Sequence, residues 1–395
     1  MRLGIVGAGQ AACTLIAELI RGQFEGEILV FNGEPHIPYQ RPPLSKAWLQ
    51  EMNDVDSLGL LPDPIKNHES VRWIPSRVTA IKPDTGTLIT NDDEFQVDHI
   101  VLATGTRAKH LNIDGLPINR MHMIRTLDDA LGLRDAMDGC NHVTIIGAGF
   151  LAFELAASLN HPSRNIRILA KGHRALPQVS VKTADRLVDA TPTSVRVGVT
   201  IDRYDEDSEA LITNHGTIPS QLVIIAVGAT PNTELAAQHG IGTHEGISTD
   251  AYMQTKHPNV SAIGEVSLHH QPHLGTAERI ESISEANDSA ATLAKRLLGS
   301  PSPFHAIPWF WSDQGDLKLQ IAGLSSRNDH ETCLTETETE CVVIRHKRDK
   351  VTAIEAINSA REFMAARRLF DQGDVSLDAI LQAGSVFQLL QSSRS

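Results

Sequence analysis

Apolar residues along this chain come in short runs separated by stretches of helical period. Residues 3–6, LGIV, end at Gly7, and so short a run bounded by glycine predicts a strand buried on both faces. A helical stretch ending in AACTLIAELI and a second strand within GEILVFNGE follow it. The succession returns with HVTII, a glycine turn, FLAFELAASL and the strand of NIRILAKG. IVLATGTRAK (100–109), LVIIAVGATPN (222–232) and NVSAIGEVS (259–267) predict further strands that end in small residues, including Ala103-Thr104-Gly105, Val227-Gly228 and Gly264-Glu265. Such ends let backbone pass close over a ligand or another segment. ISEANDSAATLAKRLLG reads as a helix closed by Gly299. The prolines of GSPSPFHAIPWFWSDQGDL then predict a linker. Beyond it, alternation predicts strands in LKLQIAGL, ECVVIRH and VTAIEAI, and helices in SAREFMAARRLFDQG and SLDAILQAG.

The two strand–turn–helix units carry chemistry. Gly7-Ala8-Gly9-Gln10-Ala11-Ala12 matches G-x-G-x-x-A. There the first glycine permits the turn, the second lets backbone approach a pyrophosphate, and the small third residue packs helix on strand. The helix N-terminus faces the phosphates, and Glu34, at the end of the next strand, stands where a ribose hydroxyl is read. Gly147-Ala148-Gly149, followed by Phe150, Leu151 and Ala152, repeats the pattern. Two fingerprints in one chain predict two dinucleotides. The fold class is therefore α/β, with two Rossmann-like domains and a C-terminal α+β domain. The boundaries expected are 1–109 with 236–303 for the first dinucleotide, 110–235 for the second, and 304–395 for the last.

Composition narrows the picture. A net charge of −13 argues against whole-protein binding to nucleic acid or anionic membrane. The longest apolar runs are too short to span a bilayer, and a buried-strand pattern almost directly after Met1 leaves no room for a signal peptide. A cytoplasmic protein is expected. The four cysteines, Cys13, Cys140, Cys333 and Cys341, contain no C-x-x-C and predict no zinc site. Cys13 reads as a small buried hydrophobe, and Cys333 and Cys341 as thiols that face each other across a hairpin. His269, His270 and His273 cluster, and a variable polar loop accounts for them more simply than a metal; no metal site is expected.

The stretch PYQRPPLSK, residues 38–46, holds two cations among three prolines. Together with GAGQAA, LATGTRAK, IRTLDDA, IIGAGFLAFELAASL, AVGATPN, AIGEVS, RIESISEAN, PWFWSDQ and REFMAARRL, it gives the chain a collinear resemblance to a known family. The chain resembles the FAD-dependent ferredoxin reductases that serve ring-hydroxylating dioxygenases and some cytochromes P450, with rubredoxin reductases close by. The resemblance implies a glutathione reductase-like two-domain flavoprotein with FAD on the first fingerprint and NADH, with NADPH also considered, on the second.

It also implies roles for particular residues. Arg41 lies near the FAD pyrophosphate and Lys46 near the isoalloxazine, where a cation raises the flavin potential. Prolines that restrict the backbone help hold such a side chain in place. Glu154 pairs with Lys46, Glu34 binds the adenosine ribose, and Arg125 binds the FAD phosphates. Val78 and Ile283 make backbone contacts to the cofactor. Glu265 replaces the usual aspartate beside the ribityl chain, so one more methylene must be accommodated. Trp311 lies near the flavin and the ferredoxin-docking face, or is one more aromatic of a core cluster. Relatives that use NADH end the second strand of the second fingerprint in an acid, whereas Ala170 stands here, followed by Lys171, Gly172, His173 and Arg174. Lys171 and Arg174 are candidates for a 2′-phosphate.

Disulfide-reducing relatives pass electrons to cysteines in the region where this chain has Ser45. The expected reaction is hydride transfer from NAD(P)H to FAD, then single-electron delivery to a [2Fe-2S] Rieske-type ferredoxin and, through it, to a terminal aromatic-ring oxygenase. The oligomeric expectation is monomer or homodimer. Rubredoxin, quinones or monodehydroascorbate are alternative acceptors. A flavin-bearing interaction protein, like the apoptosis-inducing factors, is the alternative of another class. Arg279 and the Arg367-Arg368 pair are candidate docking cations.

Overall fold

The computed structural model describes residues 1–50 and 55–392. The chain divides into two compact units: Met1–Gln40, Asp54–Arg107 and Thr230–Pro308 form one, and Arg41–Asn53, Ala108–Ala229 and Trp309–Ser395 the other.

Among the described residues, the first unit is built on five parallel strands in the order Val260–Ala262, His99–Leu102, Arg2–Val6, Glu27–Phe31, Val71–Ile74. The two-residue period of a strand sends alternate side chains to opposite faces. Leu3, Ile5, Ile28, Val30 and Val101 join the helices Gln10–Arg21 and Ile283–Leu297 in one core cluster. Val6, Leu29, Phe31, Ile100 and Leu102 join Leu88, Val97 and Ile247 in another. Both faces are covered, which is why these strands read as unbroken apolar runs.

The second unit repeats the plan with Ser194–Arg196, Asn165–Leu169, His142–Ile146, Leu222–Ile225 and Met121–His122, again parallel. It also holds a five-stranded antiparallel sheet in the order Trp309–Gln314, Leu317–Gly323, Lys350–Ile357, Cys341–Lys347, His330–Glu336. Helix Ala360–Gln372 follows that sheet.

Four expectations need correction. The linker ends at Pro308, because Trp309–Gln314 is a strand paired along its whole length with Leu317–Gly323. His330–Glu336 is a strand that alternation did not reveal, because its exposed and half-buried residues, HETCLTE, include only Cys333 and Leu334 as apolar positions. His269 and His270 lie on strand Ser267–Gln271 rather than in a loop, and the buried His269 bonds Glu285 at 2.6 Å. Cys333 and Cys341 lie on paired strands but opposite Val343 and Glu336 respectively, and both are free thiols. Cys13 is buried, and burial pushes its thiol up to about 12.

Candidate functional site

Each fingerprint turn is built by local sterics. Gly7 has φ +106°, and a Cβ there would stand 2.4 Å from the Ala103 carbonyl oxygen. Gly147 has φ +111°, with the Ala226 carbonyl oxygen 2.1 Å from such a Cβ. Only glycine fits both demands. Gly9 and Gly149 then cap the helices Gln10–Arg21 and Phe150–Ser158 in extended conformation, with no side-chain cap and no acid in the first turn. Thr126, Ser180, Ser282 and Ser376, by contrast, cap their own helices with side-chain oxygens. A Cβ on Gly9 would meet nothing within 4 Å. The two fingerprint helices therefore offer open amide donors to an outside anion.

In the first unit, the Tyr39 hydroxyl donates to Glu34 Oε2, and the Glu34 amide donates to Asn32 Oδ1 at 3.2 Å. Gln10 Nε2 donates to Asn287 Oδ1 at 2.8 Å, tying the fingerprint helix to Ile283–Leu297. Ala11 is buried, and a Cβ on Gly264 would lie 2.9 Å from its methyl group, so Gly264 permits that close approach. The Thr106 hydroxyl donates to Glu265 Oε2 at 2.9 Å, holding that carboxylate at the strand end. Arg279 Nη1 donates to the Glu265 carbonyl at 3.0 Å while Nη2 pairs with Glu281 at 2.6 Å, so this cation is engaged inside its own unit. Asn232 braces the strand end: its Nδ2 donates to Thr104 O at 2.8 Å and its amide to Gly105 O at 3.0 Å. Val78 is a core residue, and Ile283 opens the helix that Ser282 caps.

In the second unit, the proline loop meets the second fingerprint helix. Lys46 Nζ stands 2.8 Å from Glu154 Oε1, with side-chain exposures of 18% and 8%, so the pair is sheltered from solvent. Ser45 Oγ donates to Glu154 Oε2 at 2.9 Å, and Ser312 Oγ to Oε1 at 2.7 Å. Arg41 Nη1 donates to the backbone carbonyl of Arg125 at 2.8 Å, which ties the proline loop to the segment that precedes helix Leu127–Ala136. The Phe150 ring packs on Phe310 with centroids 4.7 Å apart, and Leu151 is half-buried beside it in sequence. Gly228 has φ +104°, and its carbonyl accepts from the Lys109 amide at 2.9 Å, next to Val227.

The segment after the second strand of this fingerprint splits its cations. Lys171 and Arg174 are both exposed, and Arg174 turns Nη2 onto the carbonyls of Leu176 at 3.1 Å, of Ser180 at 3.4 Å and of Val179. Arg174 thus organises the loop itself. Trp311 stacks on Trp309 with centroids 5.5 Å apart, and the Arg367 guanidinium lies 4.7 Å from the Trp309 ring centre. Arg368 is exposed. Sequence reasoning did not single out Asn232, Tyr39 or Ser312; for Ser312 the signal was its place in PWFWSDQ.

Among the described residues no three His, Cys, Asp or Glu side chains converge as a metal site, and no helix is long and apolar enough to cross a membrane.

Comparison with known proteins agrees with this geometry. The family described as pyridine nucleotide-disulphide oxidoreductase matches residues 1–290, and the reductase C-terminal family matches residues 309–389. Rhodocoxin reductase of Rhodococcus erythropolis is 31% identical, over 93% of this chain and 89% of its own. The ferredoxin–NAD(+) reductase component of the p-cumate 2,3-dioxygenase system of Pseudomonas putida is 30% identical, over 94% of this chain and 93% of its own. The crystal structure of the ferredoxin reductase for the CYP199A2 system from Rhodopseudomonas palustris superposes with a TM-score of 0.91 at 32% identity, covering 99% of each chain.

Proposed function

Since this chain belongs to the pyridine nucleotide-disulphide oxidoreductase family, as an FAD-dependent NAD(P)H oxidoreductase of ferredoxin-reductase type, we propose that it delivers electrons singly to a [2Fe-2S] ferredoxin of Rieske type serving an aromatic-ring oxygenase. FAD held by these residues would supply hydride-accepting and one-electron-donating chemistry. The chain's own residues bind, orient and tune. On this reading the open amides after Gly9 receive the FAD pyrophosphate and Glu34 the adenosine ribose. Arg41, whose guanidinium also bonds the Arg125 backbone carbonyl at 2.8 Å, and Arg125 would answer its negative charge. The open amides after Gly149 receive the nicotinamide dinucleotide. Lys46, held by Glu154 at 2.8 Å, would supply the cation that tunes the isoalloxazine.

The observation that carries the acceptor reading is Ser45. Its hydroxyl is bonded to the buried Glu154 where a disulfide relay would need a thiol. Cys13 offers no substitute, because a thiol titrating near 12 is not a nucleophile at neutral pH. Free thiols at all four cysteines fit a reducing, cytoplasmic setting. The relative of the p-cumate dioxygenase system supports the oxygenase assignment.

Stopped-flow mixing of the NADH-reduced enzyme with a purified Rieske-type [2Fe-2S] ferredoxin, a rubredoxin and a quinone tests this. The ferredoxin should reoxidise the enzyme at least about tenfold faster in kcat/KM than either rival. A faster rubredoxin or quinone would replace it as the acceptor.

A further inference from the structure

Strand Trp309–Gln314 has two unlike faces. Trp309 and Trp311 stack on one, and the two-residue period of the strand puts Phe310, Ser312 and Gln314 on the other. Phe310 packs on Phe150, at the start of the second fingerprint helix, and Ser312 is fully buried with its Oγ 2.7 Å from Glu154 Oε1. Gln314 Nε2 donates to Ser312 Oγ at 3.3 Å. A serine hydroxyl has one proton and two lone pairs. The amide bond occupies a lone pair, and the proton goes to the carboxylate.

Glu154 therefore receives donors from two segments far apart in sequence. Oε1 takes Lys46 and Ser312, and Oε2 takes Ser45. Ser45 is itself held to this helix, since Ser158 Oγ donates to its carbonyl at 2.8 Å. A sheltered carboxylate sharing its charge with two hydroxyls draws less on the ammonium beside it, and the ammonium keeps more of its field for other groups.

We propose that Ser312 is a positioning residue for the Lys46–Glu154 pair, through which the C-terminal strand sets the flavin potential. The inference rests on the reading that places Lys46 beside the isoalloxazine. With the Ser312 hydroxyl gone, the full demand of Oε1 falls on Lys46. The reduced, anionic flavin is then less well stabilised, and the midpoint potential drops in the same direction as in Lys46→Ala.

The test is the flavin midpoint potential of the holoenzyme, measured by equilibration with a reference dye in wild type, Ser312→Ala, Ser312→Thr, Lys46→Ala and the double variant Lys46→Ala/Ser312→Ala. Ser312→Ala should shift the oxidised–reduced equilibrium about three- to tenfold, or about 15–30 mV for a two-electron couple. Ser312→Thr, which keeps the hydroxyl, should restore most of it. In the Lys46→Ala background the serine change should add nothing, because the group it acts through is missing. An unmoved potential in Ser312→Ala, with Lys46→Ala shifted, overturns the role of Ser312 and leaves Lys46 in place. An equal shift in both backgrounds also overturns it, since the hydroxyl would then act by another route. An unmoved potential in Lys46→Ala overturns the underlying reading and the inference with it. If Ser312→Ala does not retain flavin, Ser312→Cys, nearly the same shape with a weak donor, carries the same expectations.

Discussion

On the proposed reading, nicotinamide choice turns on the single side chains that follow strand Asn165–Leu169. Ala170 offers neither a carboxylate to grip two ribose hydroxyls nor a charge to repel a 2′-phosphate. Both cations that follow are exposed, and Arg174 commits its Nη2 to the carbonyls of Leu176, Val179 and Ser180. One exposed lysine contributes about 1 kcal/mol once screened. We therefore expect NADH and NADPH to reduce the enzyme with kcat/KM values within about thirtyfold, or about 2 kcal/mol. Ala170→Glu should turn the balance toward NADH by penalising NADPH, and Lys171→Ala should weaken NADPH alone. Arg174→Ala should raise KM for both cofactors together, because the loop loosens. Steady-state kinetics with both cofactors at one ionic strength separate these outcomes, and a wild-type preference above several hundredfold for NADH would mean that another residue reads the ribose.

Among the elements, helix Val181–Ala190 is started in an unusual way. Ser180 caps it by accepting from the Thr183 amide at 3.1 Å, and the buried Glu355 carboxylate accepts from the Ser180 amide at 3.0 and 3.1 Å and from its hydroxyl at 2.6 Å. Arg345 Nη1 completes the arrangement 3.2 Å from Glu355, with side-chain exposures of 5% and 1%. A strand of the antiparallel sheet thus anchors the helix that follows the Ala170–Ser180 segment. Removing one partner of a buried pair leaves the other charged and uncompensated. Glu355→Ala should lose about 3–5 kcal/mol of unfolding free energy, measurable by urea titration. Replacing Lys350, whose pair with Asp374 is half-exposed at 49% and 75%, should cost less than about 1 kcal/mol.

For the molecule as a whole, acid stability has an identifiable contributor. His99 is buried, shares a 2.8 Å hydrogen bond with the Ser261 hydroxyl and faces Arg296; burial first, then Arg296 and His257, push its pKa down to about 4. In the unfolded chain the same imidazole titrates near ~6.5. The unfolded state therefore takes up a proton that the folded state refuses as pH falls through this interval. Stability drops across the window by about 1.4 kcal/mol per unit, reaching about 3 kcal/mol by its lower end. His99→Gln, which has no such proton to take up, should flatten the pH 6.5-to-4 limb relative to wild type, whatever its stability at pH 7.5. Urea midpoints measured for both proteins across the range test this, and parallel limbs would assign the acid sensitivity elsewhere.

What the sequence by itself determined lies within a few residues of chain. Alternation and short apolar runs specify strands buried on both faces, and Gly7 and Gly147 must be glycine because the backbone there has φ above +100° and meets a carbonyl at once. Fingerprints, helix starts and the proline loop are legible for the same reason: sterics and periodicity act locally. The partner of a buried polar atom is different, because it depends on which distant segment folds over it. Ser312 reaches Glu154 across 158 positions of sequence, and Glu355 reaches Ser180 across 175. That Arg174 bonds the carbonyls of Ala175, Leu176, Val179 and Ser180 depends on how the loop folds around it. Trp309–Gln314 became a strand only because Leu317–Gly323 lies beside it to complete its ladder. Hydrogen-bond satisfaction in a sheltered place is a property of the assembled fold, so tertiary structure alone could decide which of these side chains bind outward and which hold the protein together.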